Sequence, residues 1–289
     1  MDKNSIKEMV REKYSKIALS ETEVNKASCC GATDESKEVY NIMTDDYTEL
    51  QGYAEDADLG LGCGLPTEFA MIHPGDTVLD LGSGAGNDCF IARHETGPTG
   101  RVLGIDFTPA MVKKARENAF KLGYNNVEFR EGDIEDMPVI DDSVDVVVSN
   151  CVLNLLPDKS TIFKEIYRVL KPSGHFSISD IVLLGELPDS IVRAAEMYAG
   201  CVSGAIDKDD YLGLVEEAGF HNVTIQKEKT IVLPDDILGR YLGEEDIQKF
   251  RDGTVGIYSI TLFASKSEKA REVKMVDLAA DCIPGGGCC

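Results

Sequence analysis

The chain has 289 residues, 43% of them hydrophobic, enough to bury one principal core and a smaller appended unit. Its 51 acidic against 29 basic residues give a formal net charge of -22. Such a surface repels phosphate backbones and anionic lipid, so neither nucleic acid nor membrane is expected as a partner.

The N-terminus, MDKNSIKEMVREKYSKIALSE, lacks the apolar core of a signal peptide, and no apolar run approaches the length of a membrane span, which predicts a cytoplasmic protein. In a reducing compartment nine cysteines, an odd number, point to metal binding or redox chemistry rather than structural disulfides. In chain order, residues 1–66 open with an amphipathic helix that places Ile6, Met9, Val10, Ile17 and Ala18 on one face, then run into an acidic, Gly-rich stretch. Residues 67–184 alternate strands with helices. Strands are predicted at 77–81, 101–105, 127–130 and 144–149, and helices from Asn87, over 109–122 and over 161–170, with a last strand in GHFSISDIV. This pattern predicts an α/β fold, a mostly parallel, Rossmann-like sheet with helices on both faces. Residues 185–266 carry two helical stretches, 190–199 and 209–218, and two strands in HNVTIQKEKTIV and VGIYSITLFASK, an α+β region suited to capping the sheet. The tail 267–289 begins as a charged helix and ends in CIPGGGCC, too Gly-rich to order itself without a ligand.

The strongest motif is VLDLGSGAGND. Gly82, Ser83, Gly84 and Gly86 follow a strand and open a helix, so the backbone can turn sharply and approach a ligand. Asp80 precedes the glycines inside the strand. GIDFT places Asp106 and Phe107 at the end of the next strand, where a carboxylate reaches ribose hydroxyls, and EGDIEDMP places Asp133 and Ile134 after the third. This set resembles the class I methyltransferases that use S-adenosylmethionine (SAM), and RVLKPSG resembles their helix-to-strand turn. The resemblance implies that the three acidic positions surround the methionine, ribose and adenine ends of SAM. A Rossmann oxidoreductase shares the glycines, but its loop receives a pyrophosphate; this loop has the acidic flank that suits a sulfonium cation.

General-base catalysis most often uses His, yet His73, His94, His175 and His221 are scattered over turns and element ends and form no set. Thiols recur where chemistry is expected. Cys151 follows the fourth strand beside Asn150, Cys201 lies in MYAGCVSGA in the capping segment, and Cys63 lies in LGLGCGLP, where Gly60, Gly62 and Gly64 leave it freedom to approach a ligand. Cys29 and Cys30 are adjacent in ASCCGA, and Cys89, on the apolar side of the helix after the glycine loop, reads as a core cysteine.

ASCCGA, LGCGLP, SNCVLNLLPDK and AGCVSGA resemble the arsenite methyltransferases, over nearly the whole chain to about Lys266. The resemblance implies functional roles for Cys63, Cys151 and Cys201 as ligands of trivalent arsenic, and for one of Cys29 and Cys30 as a redox relay, Cys30 being chosen for its place beside Gly31. It implies SAM as methyl donor, arsenite and methylated trivalent arsenicals as substrates, and a thioredoxin-like or small-thiol reductant. Leu61 stands where some members have tyrosine. The chemistry agrees, since trivalent arsenic is soft and selects thiolates. Cys282, Cys288 and Cys289 in the tail are candidates for collecting arsenite or joining the relay. The competing readings are another class I methyltransferase acting on a small organic acceptor and a non-catalytic, thiol-rich metalloid-binding protein.

Overall fold

Apolar, β-branched runs build the sheet, because strands covered on both faces have no solvent side to mark with polar residues. In the computed structural model, which describes residues 3–19, 45–186, 204–232, 239 and 242–269, they form β1 (Thr77–Leu81), β2 (Arg101–Asp106), β3 (Val127–Glu131) and β4 (Val144–Asn150). A long β5 (Leu170–Leu184), then β6 (His221–Thr230) and β7 (Gly256–Ser265), complete one seven-stranded sheet of order β3-β2-β1-β4-β5-β7-β6. β1 to β5 are parallel and β7 is antiparallel to both its neighbours. The sheet is therefore α/β and mostly parallel, as expected, and it continues through the strands that follow residue 184.

Alternation along each strand divides the core. Leu79, Leu81, Leu103 and Ile105 face one side with Ile162, Phe163 and Tyr211, whereas Val78, Val102, Val146 and Val148 face the other with Phe90, Met111 and Val112. The helices on these faces are α3 (Asn87–Thr96) and α4 (Pro109–Leu122) on one, α5 (Lys159–Val169) and α6 (Lys208–Glu217) on the other. Local chemistry sets their ends. Pro109 opens α4, where a missing amide costs nothing, and Gly123 closes it in the left-handed conformation. Asp158 caps α5 through the Thr161 amide at 3.1 Å.

α1 (Lys3–Leu19) and the short α2 (Pro66–Phe69) precede the sheet. On α1, Val10 and Ala18 are buried and Ile6, Tyr14 and Ile17 half-buried, while Met9, expected on the apolar face, is 53% exposed. A face at 6, 10, 14 and 18 follows the four-residue ridge, and Met9 falls off it. α7 (Glu244–Arg251) was not expected, because its eight residues offer only Ile247 and Phe250 as apolar signal; both pack on Ile181 and Ile257. The helix expected over 190–199 and the cysteines Cys29, Cys30, Cys201, Cys282, Cys288 and Cys289 lie outside the described residues. Among those described, no helix is long and apolar enough to cross a membrane.

Candidate functional site

β1 lies between β2 and β4, the strands at which the chain reverses its direction across the sheet, and ligands of open α/β sheets bind beyond the carboxyl ends of strands at such a point. A cleft of about 1020 Å³, mouth included, opens there. Asp80, Gly82, Ser83, Gly84, Asp106, Phe107, Asp133, Ile134, Asn150 and Cys151 all line it. Gly86 does not line it; a Cβ there would lie 2.8 Å from the rings of Phe90 and Phe129, so this glycine serves packing beneath the loop. At Gly82, φ is 68° and a Cβ would lie 2.4 Å from Val152, whereas one at Gly84 would meet nothing within 4 Å. The first glycine thus seats the loop against the segment after β4, and the second borders open space.

The cleft is acidic, and three of its carboxyls, Asp80, Asp88 and Asp106, are pushed above their ordinary titration. Burial, then the charge of Asp88, pushes Asp80 well above the usual carboxylate range. Asp88 is pushed up to about 6 by burial, against hydrogen bonds from Tyr47, Asn150 and Thr67 that favour its charge. Asp106 is raised by burial, although its oxygens accept the amides of Thr108 at 2.8 Å and Gly84 at 3.0 Å. A cation in the cleft relieves this mutual repulsion, whereas a pyrophosphate aggravates it. The buried Ser83 hydroxyl has no hydrogen-bond partner among the described residues, a second sign of a polar ligand. Both observations fit SAM.

Cys63 and Cys151 meet at one side of this cleft as a disulfide, with Cα atoms 5.8 Å apart and 88 residues between them. The sequence expectation made both of them thiol ligands of arsenic, with Cys29 or Cys30, which lie outside the described residues, as a relay to Cys63. The structure joins Cys63 to Cys151, because the loop before α2 and the end of β4 are carried to the same sheet edge. Cys151 adopts the left-handed conformation, φ 58°, which is uncommon outside glycine, and its amide donates to the Ser179 carbonyl at 2.8 Å. The Cys63 amide donates to Asn150 Oδ1 at 3.0 Å, and its carbonyl accepts the Ser259 hydroxyl of β7 at 2.5 Å.

Gly62 and Gly64 also serve closeness. A Cβ at Gly62 would lie 2.6 Å from the Asn150 amide nitrogen, and one at Gly64 2.6 Å from the Ser179 hydroxyl. The loop around Cys63 is therefore packed and bonded, rather than given the freedom its glycines suggest in sequence. Cys89 is fully buried, as expected, and its thiol donates to Asp80 at 3.2 Å. No His lines the cleft; His175 is buried with its ring nitrogen 2.6 Å from the Ala70 carbonyl.

Chain near Cys201 re-enters the described residues at Gly204 under tight restraint. The buried Lys159 ammonium donates to the Gly204 carbonyl at 2.6 Å, and a Cβ on Gly204 would lie 1.9 Å from the Asn154 carbonyl oxygen. Asn154 belongs to the loop that begins at Cys151.

Sequence reasoning missed Lys7, Tyr14, Tyr47, Asp58 and Asp88, which also line the cleft. Lys7 pairs with Asp133, at 2.5 Å, and with Glu135, and Arg11 donates to the Phe107 carbonyl at 3.0 and 3.1 Å, so α1 lies across the ends of β2 and β3. Asp88 stood in view within GSGAGND; Tyr47 had no local signal.

Residues 72–219 match a family model described as a methyltransferase domain. The chain is similar to the arsenite methyltransferase of Halobacterium salinarum, with 45% identity over 258 residues that cover 84% of this chain and 65% of that protein. It is 32% identical to that of Aquipseudomonas alcaligenes over 244 residues, covering 82% of this chain and 68% of that one. Among solved structures it resembles an arsenic(III) S-adenosylmethionine methyltransferase from Chlamydomonas reinhardtii, with TM-score 0.60 and 35% identity over 72% of this chain and 68% of the other. The chain spans about two thirds of the length of these relatives. With the cleft at the switch point and the paired cysteines beside it, these likenesses give one assignment: the chain belongs to the arsenite methyltransferase family of class I SAM-dependent methyltransferases.

Proposed function

We propose that the chain methylates trivalent arsenic with SAM, holding the arsenic on cysteine thiolates. The observation that carries this reading is the meeting of Cys63 and Cys151 beside an acid-lined cleft. Asp106 keeps a free lone pair on each oxygen after accepting two backbone amides, and these receive the ribose hydroxyls. Asp133 and Ile134 border the adenine end, and Asp80 and Asn150 the methionine end. SAM bound there supplies an electrophilic sulfonium methyl. The chain's own task is to align the arsenic with it.

Exchange of the three hydroxyls of arsenous acid for the thiolates of Cys63, Cys151 and Cys201 releases water and leaves the arsenic lone pair pointing away from the sulfurs. A free thiol with a pKa near about 8.5 is mostly protonated at neutral pH, so the metalloid itself drives deprotonation. The lone pair is the nucleophile and needs no general base, which agrees with a cleft lined by no His among the described residues. Methyl transfer oxidises arsenic to the pentavalent state. Two of its thiolate ligands then couple as a disulfide, returning two electrons to arsenic, and water supplies a hydroxide to the vacated position and releases a proton. The Cys63–Cys151 disulfide is the oxidised form in this scheme. Cys30, or its neighbour Cys29, attacks Cys63 and expels the Cys151 thiolate, and a thioredoxin-like protein or small thiol reopens the resulting bridge. Residues 67–184 supply the cofactor half, and 185–266 bring Cys201.

Incubation with arsenite, labelled SAM and a thiol, followed by arsenic speciation, tests the proposal. Methylated arsenicals are expected. Transfer to a small organic acceptor with none to arsenite refutes it, as does tight arsenite binding by a protein that binds no SAM.

A further inference from the structure

Tyr47 lies outside the matched methyltransferase domain, yet it is buried in the wall of the cleft. Its hydroxyl has one proton and two acceptors. Asp88 Oδ2 stands at 3.0 Å, on the cleft side, and the Gly64 carbonyl at 3.1 Å, on the side of the cysteine loop. Asn150 joins both, donating from Nδ2 to the Tyr47 hydroxyl oxygen and, at 2.8 Å, to the Gly64 carbonyl, while its Oδ1 takes the Cys63 amide. A cofactor-side carboxylate and the backbone beside Cys63 thus compete for a single proton.

We propose that Tyr47 is a positioning residue that couples occupancy of the cleft by a cation to the hold on the Cys63 loop. With a cation against Asp88, the carboxylate is a full, charged acceptor and draws the Tyr47 proton, since charge-assisted hydrogen bonds are the stronger ones. Gly64 is then held by Asn150 alone. Without the cation, and below about pH 6, burial beside the Asp80 and Asp58 carboxyls outweighs the Thr67 hydrogen bond and keeps the Asp88 carboxyl protonated, so that it donates to the Tyr47 oxygen and leaves the Tyr47 proton for Gly64. The two arrangements differ by one hydrogen bond on the residue next to Cys63, so a ligand that distinguishes them shifts the loop. Below about pH 6, SAM binding would therefore loosen the Cys63 sulfur for exchange when the methyl donor is already in place. The inference rests on the reading that SAM fills the cleft, and it is independent of arsenic.

The test is the rate at which tris(2-carboxyethyl)phosphine reduces the Cys63–Cys151 bridge in the full chain at about pH 5, below the Asp88 pKa, followed by thiol tagging and peptide mapping, with and without SAM. SAM is expected to accelerate reduction by about two- to tenfold, the effect of one net hydrogen bond. Tyr47→Phe should be reduced rapidly with or without SAM, because Gly64 has only Asn150 in either case. Asp88→Asn should be reduced slowly in both conditions, because a neutral amide keeps donating to Tyr47. SAM titration of each variant accompanies the rates. Wild-type protein that binds SAM without faster reduction overturns the coupling alone, whereas wild-type protein that binds no SAM overturns the cofactor assignment as well. A wild-type response in either variant overturns the coupling, and so does loss of SAM binding in Tyr47→Phe, which would make the hydroxyl a general structural support.

Discussion

Acid should weaken SAM binding more steeply below about pH 6 than above it, and Asp88 is the reason. Burial pushes its carboxyl up to about 6, and it lines the cleft with Asp80, which burial and the Asp88 charge also push up. A cation binds the ionised form, so binding lowers the carboxyl pKa and expels the proton. Below the unliganded pKa that proton must leave for each SAM bound, and affinity falls as pH falls, by up to about tenfold, or about 1.36 kcal/mol, per pH unit. Above it Asp88 is already ionised and adds no slope. Calorimetric SAM titrations between about pH 5 and 8, in buffers of different ionisation enthalpy, count the protons released. Asp88→Asn should remove the extra slope below about pH 6. A wild-type profile that does not steepen, or a variant profile that steepens equally, refutes the electrostatic account of the cleft.

Asp106→Ala should weaken SAM by about tenfold to a hundredfold, the worth of charge-assisted hydrogen bonds, with arsenite affinity unchanged; equilibrium dialysis with both ligands checks it. Cys151→Ser and Cys201→Ser should abolish methylation of arsenite and of the monomethylated trivalent arsenical alike, because a hard hydroxyl does not replace a thiolate. Cys63→Ser should abolish only the first, since the monomethylated substrate has two ligand positions left; equal loss of both would end the division of labour. Gly64→Ala should lower stability by about 1 to 3 kcal/mol, because its Cβ would meet Ser179, which is fully buried and bonded to Thr261 at 2.9 Å. An unchanged urea midpoint would show that the close approach at Gly64 is not there.

The strands were legible because Val146, Val147 and Val148 have no polar alternation to confuse them, and the cofactor residues because Asp80, Gly82 and Gly84 sit in one short motif. What escaped depends on tertiary approach. Nine cysteines do not reveal which two meet, so the Cys63–Cys151 pairing waits on the register of β1 against β4 and of β5 against β7. Lys159 closes the motif SNCVLNLLPDK, where a lysine in the first turn of a helix reads as solvated. Its burial against Gly204 sets an ammonium near a helix N-terminus, an unfavourable place, with the buried Asp180 carboxylate as the opposing charge. Tyr47 lies in DDYTELQGY, a polar stretch with no periodicity, and only the packed loop shows its hydroxyl between Asp88 and Gly64.

The geometry separates two tasks between parts of the chain. The cofactor cleft draws most of its walls from β1, β2, β4 and the loops that follow them, all within residues 72–219, the span shared with methyltransferase domains at large. Cys63 draws its support from elsewhere. Its loop precedes that span, Tyr47 precedes it too, and the Ser259 hydroxyl that holds the Cys63 carbonyl comes from β7, as does the Thr261 partner of Ser179 beneath Gly64. β7 inserts antiparallel between β5 and β6, so its Ser259 reaches the edge where β4 delivers Cys151. A methyltransferase domain alone can therefore build the cleft and present Cys151, but it has nothing with which to set a second thiol 5.8 Å away, Cα to Cα. The similarity to the arsenite methyltransferase of Halobacterium salinarum covers 84% of the chain rather than residues 72–219 alone. The support of the Cys63–Cys151 pair, in this fold, belongs to elements that flank the cofactor domain in sequence and converge on it through the antiparallel edge of the sheet.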